Sequence, residues 1–210
     1  MITTTSTTIV VTILVALITA VIGPIIVNWV KLKMEKKDKN FTMAEALEAS
    51  TLIDQQLEDL MDDLQCDRIW VAQFHNGGYF YPTGKSIQKF SIFYEKYNQI
   101  LPPIQTTFQN IPVSLFSRAL AQVYENGEIE ILNVEVEENT FGVDVLTSQF
   151  KTKSLCMVGL YDLNNHLIGI MGISFIDEHN IITSEWITIR QKVGVIGTLL
   201  SEYLYPNNKK

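Results

Sequence analysis

The first thirty residues contain no Asp, Glu, Lys, Arg or His, and residues 9–30 form an almost continuous apolar run. A helix that crosses a bilayer needs about 20 apolar residues, because the hydrocarbon core is about 30 Å thick. A cleaved signal peptide would instead begin with basic side chains and carry a shorter apolar core, but residues 1–8 are polar and uncharged. The run therefore predicts a polar tail over 1–8 and an uncleaved transmembrane helix over 9–30.

Basic side chains follow the apolar run directly. The predicted linker over residues 31–41 holds five Lys against one Glu and one Asp, a net charge of +3, while residues 1–8 carry no charged side chain. Because positively charged flanks stay inside, this asymmetry predicts the inner (cytoplasmic) membrane, with the N-terminus outside and the C-terminal domain in the cytoplasm. The residues expected at the membrane interface are Trp29, Lys31, Lys33, Lys36 and Lys37.

The composition of the whole chain narrows the class of protein. With 47% hydrophobic residues, the chain can bury a core and is not intrinsically disordered. A net charge of −7 disfavours nucleic acid as a partner. Two cysteines cannot build a disulfide scaffold, and the three histidines lie far apart, in none of the motifs that mark metalloproteases, serine hydrolases or nucleotide-binding loops. The sequence predicts no cofactor, no metal site and no catalytic residue.

Alternating helical and strand patterns fill the rest of the chain. A capping-box spacing begins at Thr42, and apolar residues then recur in steps of three and four. The predicted elements are a helix over 42–65, strands over 67–75 and 88–97, a helix over 112–124, strands over 128–132, 155–161 and 167–175, and a last helix that begins near residue 183. This order predicts an α+β domain over 42–204, followed by a tail over 205–210.

Two stretches carry a family resemblance. LCMVGLYDLNNHLIGIMGISF resembles the last two sheet strands of a GAF domain, and DRIWVAQFHNGGYF looks like the first strand and turn of GAF-like domains in membrane-anchored bacterial and phage proteins. GAF domains are related to PAS domains and are ligand-binding and regulatory. The resemblance implies a central antiparallel sheet flanked by helices. It implies neither cyclic-nucleotide nor tetrapyrrole binding, because the nucleotide pattern is missing and neither Cys66 nor Cys156 has an adjacent His.

The resemblance also implies where a ligand would bind. In GAF-like domains the pocket lies between the sheet and the loops and helices that cross one face. The residues expected there are His75, Asn76, Gly77, Gly78, Tyr79, Phe80, Tyr81, Phe90, Ile92 and Tyr94. Aromatic faces with a few polar groups suit a small molecule. The alternative is structural, because Asn-Gly-Gly is also ordinary hairpin chemistry.

These observations predict a non-enzymatic, membrane-anchored sensory or regulatory domain. It would act through an unknown small ligand, a protein partner, or a homodimer formed by the helices near 42–65 and 184–204. The stripes on those helices could equally cover the sheet. One alternative is a phage holin-like lysis protein with a single transmembrane helix and a soluble regulatory domain, and another is an enzyme of unknown type.

Overall fold

A computed structural model describes residues 43–79, 86–134 and 149–204. Apolar residues spaced three and four apart form helices, and β-branched and aromatic runs form strands. The elements are α1 (Met43–Leu64), β1 (Arg68–Tyr79), β2 (Ser86–Tyr97), β3 (Ile111–Pro112), a 3-10 helix (Val113–Phe116), α2 (Ser117–Asn126), β4 (Glu128–Ile131), β5 (Ser154–Tyr161), β6 (Leu167–Phe175) and α3 (Thr183–Leu204).

The strands form one six-stranded sheet in the order β3-β2-β1-β6-β5-β4, and every neighbouring pair is antiparallel. β1 and β6 lie at the centre, although about ninety residues separate them in the chain. The predicted α+β class, with a central antiparallel sheet flanked by helices, is confirmed.

One face of the sheet is covered by the two long helices. We call it the helix-covered face; α1 and α3 pack on side chains of β1, β5 and β6. The core residues here are Ile53, Leu57, Leu60, Leu64, Cys66, Ile69, Val71, Cys156, Val158, Leu160, Ile168, Met171, Ile173, Phe175, Ile181, Ile189, Ile196 and Leu200. The stripe that suggested a dimer along α1 therefore includes residues that cover the sheet.

The opposite face is covered by α2 and by two irregular segments, residues 98–110 and 149–153. We call it the loop-covered face. Its core residues are Trp70, Ala72, Phe90, Ile92, Ile104, Phe108, Phe116, Ala119, Leu120, Val123, Ile129, Ile131, Val134, Phe150, Leu155, Met157 and Ile170. Along β1 the side chains alternate, so that Ile69 and Val71 meet the helices while Trp70 and Ala72 meet the loops.

A bulge in β2 interrupts this alternation. Val71 pairs with Tyr94 but Ala72 pairs with Ile92, so that Phe93 is an extra residue in β2. An extra residue exchanges the two faces for everything beyond it. Phe90 and Ile92 consequently lie on the loop-covered face, whereas Tyr94 lies on the helix-covered face.

The predicted localisation in the inner membrane must be corrected. Within the ranges 43–79, 86–134 and 149–204, no helix combines the length and the apolar character that crossing a bilayer requires. α1 and α3 are each 22 residues long, but charged side chains recur along both. The predicted helix over 9–30 and its interface residues, Trp29, Lys31, Lys33, Lys36 and Lys37, lie outside the described residues. We withdraw the membrane localisation, and with it the holin-like alternative.

Candidate ligand cavity

A small cavity lies in the loop-covered face, between the sheet and α2. Counted as the space open to the centre of a water molecule, its volume is about 20 Å³, which is room for about one water. Every lining residue is apolar: Trp70, Ala72, Phe90, Ile92, Phe108, Phe116, Ala119, Leu120, Met157 and Ile170. A cavity with such walls stays dry.

A wider groove adjoins the cavity. It measures about 390 Å³ on the same scale, and its walls are Thr107, Phe108, Ile111, Leu115, Phe116, Gln149 and Phe150. Phe108 and Phe116 line both spaces, and their ring centroids lie 6.2 Å apart. Phe116 also meets Phe90 edge-on at 5.5 Å, and Phe108 meets Phe150 at 5.7 Å. Two aromatic rings thus separate the groove from the cavity.

Trp70 lines the cavity and packs against a glycine of the neighbouring strand. It pairs with Gly172 across β1 and β6, and a Cβ on Gly172 would lie only 2.1 Å from two indole carbons. The ring therefore occupies the space that a larger residue at 172 would fill. The Trp70 indole Nε1 is buried and has no hydrogen-bond partner among the described residues. Buried donors are nearly always paired, so this N–H stands out.

A buried ion pair lies on the same face, at the end of the sheet where β1 begins. Arg68 Nε is 3.2 Å from Glu95 Oε1, and both side chains are 1% exposed. Desolvation lowers the pKa of Arg68 below its ordinary value, and the nearby Glu95 carboxylate opposes that shift. An arginine pKa starts so high that the guanidinium remains charged.

The pair holds both segments that form the groove. Arg68 donates from Nη2 to the Pro102 carbonyl at 2.6 Å and from Nη1 to the Phe150 carbonyl at 3.2 Å. Glu95 accepts from the backbone N–H groups of Ile104, at 3.0 Å, and Gln105, at 2.8 Å. The backbone beside Phe108 and that beside Phe150 are thereby fixed to the sheet.

The structure places the predicted site residues that it describes in three separate regions. Phe90 and Ile92 line the cavity. Tyr94 lies on the opposite, helix-covered face, where its hydroxyl is 3.2 Å from Ser50 Oγ. The alternation expected along β2 fails here because of the bulge at Phe93.

Four of the other predicted residues, His75, Asn76, Gly77 and Gly78, lie in β1 and are not among the residues that line the cavity. His75 Nε2 is within hydrogen-bond distance of Ser91 Oγ, at 2.9 Å, and the same Oγ accepts a hydrogen bond from the Asn110 backbone N–H. Asn76 accepts from Gln88 Nε2, the Lys89 stem lies against Gly77, and Gly78 has a φ of +105°. The side chain of Tyr79, together with residues Phe80 and Tyr81, lies outside the described part of the structure. That this hairpin binds a ligand stays a prediction.

Sequence reasoning missed most of the cavity wall. Trp70 was assigned only to a strand, and Phe108 fell in a segment with no predicted element. The charge of Arg68 in an otherwise apolar strand was the available signal that a buried partner had to lie nearby. Gly172, inside an apolar strand, signalled a close approach by another group, but not which group approaches.

The two cysteines lie on the other side of the sheet from the cavity. Burial raises the pKa of the Cys66 thiol to about 12 and also raises the pKa of Cys156. Both thiols stay protonated at neutral pH and are poor nucleophiles. Among the residues that the structure describes, no group of three His, Cys, Asp or Glu side chains could hold a metal ion.

Comparison with known proteins supports the fold. No protein-family model and no curated protein matches the sequence. Among solved structures, GAF3 from Slr1393 of Synechocystis sp. PCC6803 is 16% identical with a TM-score of 0.56, covering 74% of this chain and 95% of that one. The PixJ GAF domain of Thermosynechococcus elongatus, in its blue-light absorbing form, is 12% identical with a TM-score of 0.61, covering 79% and 92%.

A phycocyanobilin-bound GAF domain from a cyanobacterial phytochrome is 15% identical, with a TM-score of 0.60 over 79% of this chain and 91% of that chain. Similarity at this level of identity concerns the arrangement of helices and strands. The described residues therefore have a GAF-like α+β fold, with a six-stranded antiparallel sheet flanked by helices.

Proposed function

We propose that this chain is a non-enzymatic sensory or regulatory protein whose GAF-like domain binds a small molecule in the cavity of the loop-covered face. The observation that carries the proposal is the cavity itself, walled only by apolar side chains and separated from an open groove by two phenylalanine rings. An apolar concavity next to a few polar groups is the ordinary form of a small-molecule site.

The similar solved structures are consistent with a sensory role, since they are photoreceptor GAF domains. Phycocyanobilin, bound by one of them, is not carried over as a covalent cofactor. The chain has two cysteines, and both are buried on the helix-covered face. Neither thiol faces the cavity, so a ligand there is held by packing and hydrogen bonds.

Filling the cavity tests the proposal. Ala119 is buried on the face of α2 that lines the cavity, whereas Ala121 is exposed two residues later on the same helix. Ala119→Val and Ala121→Val add the same atoms, but only the first adds them to the cavity wall. Thermal unfolding of the full-length chain is measured against a broad panel of metabolites.

We expect a ligand that raises Tm in the wild type and in Ala121→Val, with the shift lost in Ala119→Val. A ligand present at 100 times its Kd stabilises the folded state by about 2.7 kcal/mol. If no member of the panel shifts Tm in the wild type, and native mass spectrometry finds no co-purified molecule, the ligand proposal is wrong.

We further propose that the protein partner is a second copy of this chain, which packs along α1 and α3. The observation that favours it is a set of apolar side chains on the outer surfaces of these helices: Met43, Leu47, Ile187 and Val195. Leu57 and Leu60 are fully buried against the sheet and cannot serve this interface.

The dimer proposal is tested by charge substitution at an exposed position. Leu47→Glu on α1 should convert dimers to monomers in light scattering of the full-length chain. Leu163→Glu is the control, because Leu163 is also exposed but lies in the turn between β5 and β6. A monomeric wild type at high concentration would contradict the proposal.

A further inference from the structure

We propose that the ligand of the loop-covered face is an uncharged, flat aromatic molecule whose main body lies in the groove beside the cavity. This inference rests on the proposed function, and it specifies where most of the ligand lies and what its chemical class is. Three observations carry it: the sizes of the two spaces, the uncharged aromatic walls of the groove, and the hydrogen bonds that hold those walls to the sheet.

The sizes of the two spaces assign most of the ligand to the groove. The cavity measures about 20 Å³, which is room for about one water, so it can take no more than a small group of a larger molecule. The groove measures about 390 Å³ on the same scale, a size that is usual for small-molecule sites. Phe108 and Phe116 line both spaces. A ligand held against these two rings therefore borders the cavity while most of its atoms lie in the groove.

The walls of the groove disfavour a charged ligand. Among the described residues that line it, only Thr107 and Gln149 have polar side chains, and both are uncharged. The guanidinium of Arg68 lies 6.0 Å from the centre of the Phe150 ring, but the Arg68 side chain is 1% exposed and is paired with Glu95. An ionised ligand would lose its hydration here without meeting an available counter-charge, which is strongly unfavourable.

Aromatic rings form a large part of the same walls. The ring centroids of Phe108 and Phe116 lie 6.2 Å apart, and those of Phe108 and Phe150 lie 5.7 Å apart. Aromatic rings attract one another in offset and edge-to-face arrangements, so a flat aromatic ligand can join this group of rings. The hydroxyl of Thr107 and the amide of Gln149 offer hydrogen bonds to an uncharged polar substituent.

Hydrogen bonds to the sheet and its neighbouring backbone hold these walls in place. The Phe108 carbonyl accepts from the Ile92 N–H at 2.9 Å, and the Phe108 N–H donates to the Ile104 carbonyl at 2.9 Å. The Phe150 carbonyl accepts from Arg68 Nη1 at 3.2 Å. Because the backbone on both sides of the groove is already fixed, binding there requires little further ordering of the chain.

The ligand class is tested with probes that share one shape. 2-Naphthamide and 2-naphthoate differ in charge at pH 7 but hardly in size, and isothermal titration calorimetry of the full-length chain gives both Kd values. We expect 2-naphthamide to bind at least about tenfold more tightly. Equal or tighter binding of 2-naphthoate would overturn the uncharged class.

A saturated probe tests the aromatic part of the proposal. Decahydronaphthalene-2-carboxamide keeps the polar substituent of 2-naphthamide and loses the flat rings. It should bind about twofold to tenfold more weakly, because it gives up the ring contacts. Equal affinity for the two amides would show that the site does not select an aromatic ligand.

The place of binding is tested at Leu115, which lines the groove although its side chain is 64% exposed. Leu115→Glu puts a carboxylate into the apolar wall and should raise the Kd of 2-naphthamide by about tenfold or more. Leu163→Glu is the matched control, because Leu163 is also exposed but lies in the turn between β5 and β6; its Kd should equal that of the wild type.

Nuclear magnetic resonance gives a second readout of the place of binding. The Leu115 methyl resonances of the full-length chain, assigned with Leu115→Ile, should shift when 2-naphthamide is added. Unshifted methyl resonances under saturating probe would overturn the groove as the site. If Leu115→Glu fails to fold, these wild-type shifts decide the question.

The metabolite panel separates this inference from the proposed function. If a metabolite stabilises the wild type, loses its effect in Ala119→Val and keeps it in Leu115→Glu, the groove is wrong and the proposed function stands. If the effect of a charged metabolite is lost in both variants, the ligand class is wrong and the proposed function again stands. An uncharged aromatic metabolite whose effect is lost in both supports both proposals. If no probe binds and no metabolite shifts Tm, both are wrong.

Discussion

The helix-covered face and the loop-covered face share one sheet, yet they bury different kinds of group. α1 and α3, each 22 residues long, cover the first face with regular rows of Leu and Ile. A ten-residue helix and two irregular segments cover the second, which contains a cavity, an ion pair and the unpaired indole N–H. Regular helices satisfy their own backbone, whereas irregular segments must find partners elsewhere.

That difference explains where the buried charges lie. Arg68 binds the carbonyls of Pro102 and Phe150, and Glu95 binds the N–H groups of Ile104 and Gln105, all of which lie in the two irregular segments. The loop-covered face depends on a few directed bonds, and the helix-covered face depends on many weak contacts spread over two helices.

The largest effect is expected from removing one charge of the buried pair. Arg68→Met leaves the Glu95 carboxylate without its counter-charge and frees the carbonyls of Pro102 and Phe150, which should lower the free energy of unfolding by about 3–5 kcal/mol. Urea unfolding of the full-length chain measures the loss.

The matched control is another arginine in an ion pair at the surface. Arg190 Nη2 lies 2.9 Å from a Glu128 carboxylate oxygen, but the Arg190 side chain is 61% exposed. Arg190→Met should therefore cost no more than about 1 kcal/mol. Similar losses for the two variants would show that the loop-covered face does not depend on its buried pair.

How far the sequence predicts this arrangement depends on the distance along the chain that each feature spans. α1 follows from the spacing of its apolar residues, and the β5–β6 hairpin follows from two apolar runs around an Asn-rich turn. Both patterns are local. The placement of Tyr94 was not predictable, because one extra residue at Phe93 reverses the faces without disturbing the composition of β2.

The cavity was less predictable still. Its wall combines side chains from β1, β2, β5, β6 and α2 with two phenylalanines from the segment between β2 and α2. Trp70 meets Gly172 only because β1 and β6 become neighbours at the centre of the sheet. Such contacts depend on the strand order, which periodicity does not reveal. Asn76, Gly77 and Gly78 predicted a tight turn after His75, and this prediction was wrong: β1 continues through them to Tyr79, with an irregularity in its pairing with β2 between Asn76 and Tyr79.

A smaller loss of stability is expected when a side chain is placed at Gly172, in the space that the Trp70 ring occupies. A Cβ at position 172 would lie 2.1 Å from the indole, and a ring held in the core can move only at the expense of its neighbours. Gly172→Ala should lower the free energy of unfolding by about 1–3 kcal/mol and displace Trp70. Denaturant unfolding gives the loss, and the Trp70 indole resonance reports the displacement.

Gly159→Ala is the control for Gly172→Ala, because both glycines lie inside neighbouring strands of the sheet, β5 and β6. A Cβ at 159 would meet the tips of the Leu167 and Tyr161 side chains, which can turn aside. We expect a smaller loss there and an unchanged Trp70 resonance. The reverse order would mean that the indole is not held tightly in the loop-covered face.

Alkaline pH tests whether the helix-covered face stays closed to water. Burial raises the pKa of Cys66 from 9.0 to about 12, so the folded protein keeps the neutral thiol while the unfolded chain ionises. The stability that the neutral, buried Cys66 thiol contributes is fully present below about pH 9 and is lost as the pH rises toward 12. At pH 10 the loss is roughly 1.4 kcal/mol.

The variant Cys66→Ala removes that titration. Between pH 8 and pH 10 its free energy of unfolding should fall by roughly 1.4 kcal/mol less than that of the wild type. Cys156→Ala should act in the same direction, since burial raises the pKa of that thiol too. Identical pH profiles for wild type and variants would show that water reaches the thiols in the folded state.

The smallest expected effect is an increase in the free energy of unfolding, and it tests how α3 packs on the sheet. Gly194 lies inside α3, and a Cβ there would meet nothing within 4 Å. Alanine at this position restricts the unfolded chain and suits the helix, so Gly194→Ala should raise the free energy of unfolding by about 0.5–1 kcal/mol.

Gly197, one turn later, is the control: its Cβ would lie 2.8 Å from the backbone oxygen of Tyr161, which cannot turn aside as a side chain can. Gly197→Ala should therefore destabilise the protein, with a lower Tm where Gly194→Ala gives a higher one. If both substitutions stabilise, α3 lies farther from β5 than the structure shows, and the helix-covered face is the looser of the two.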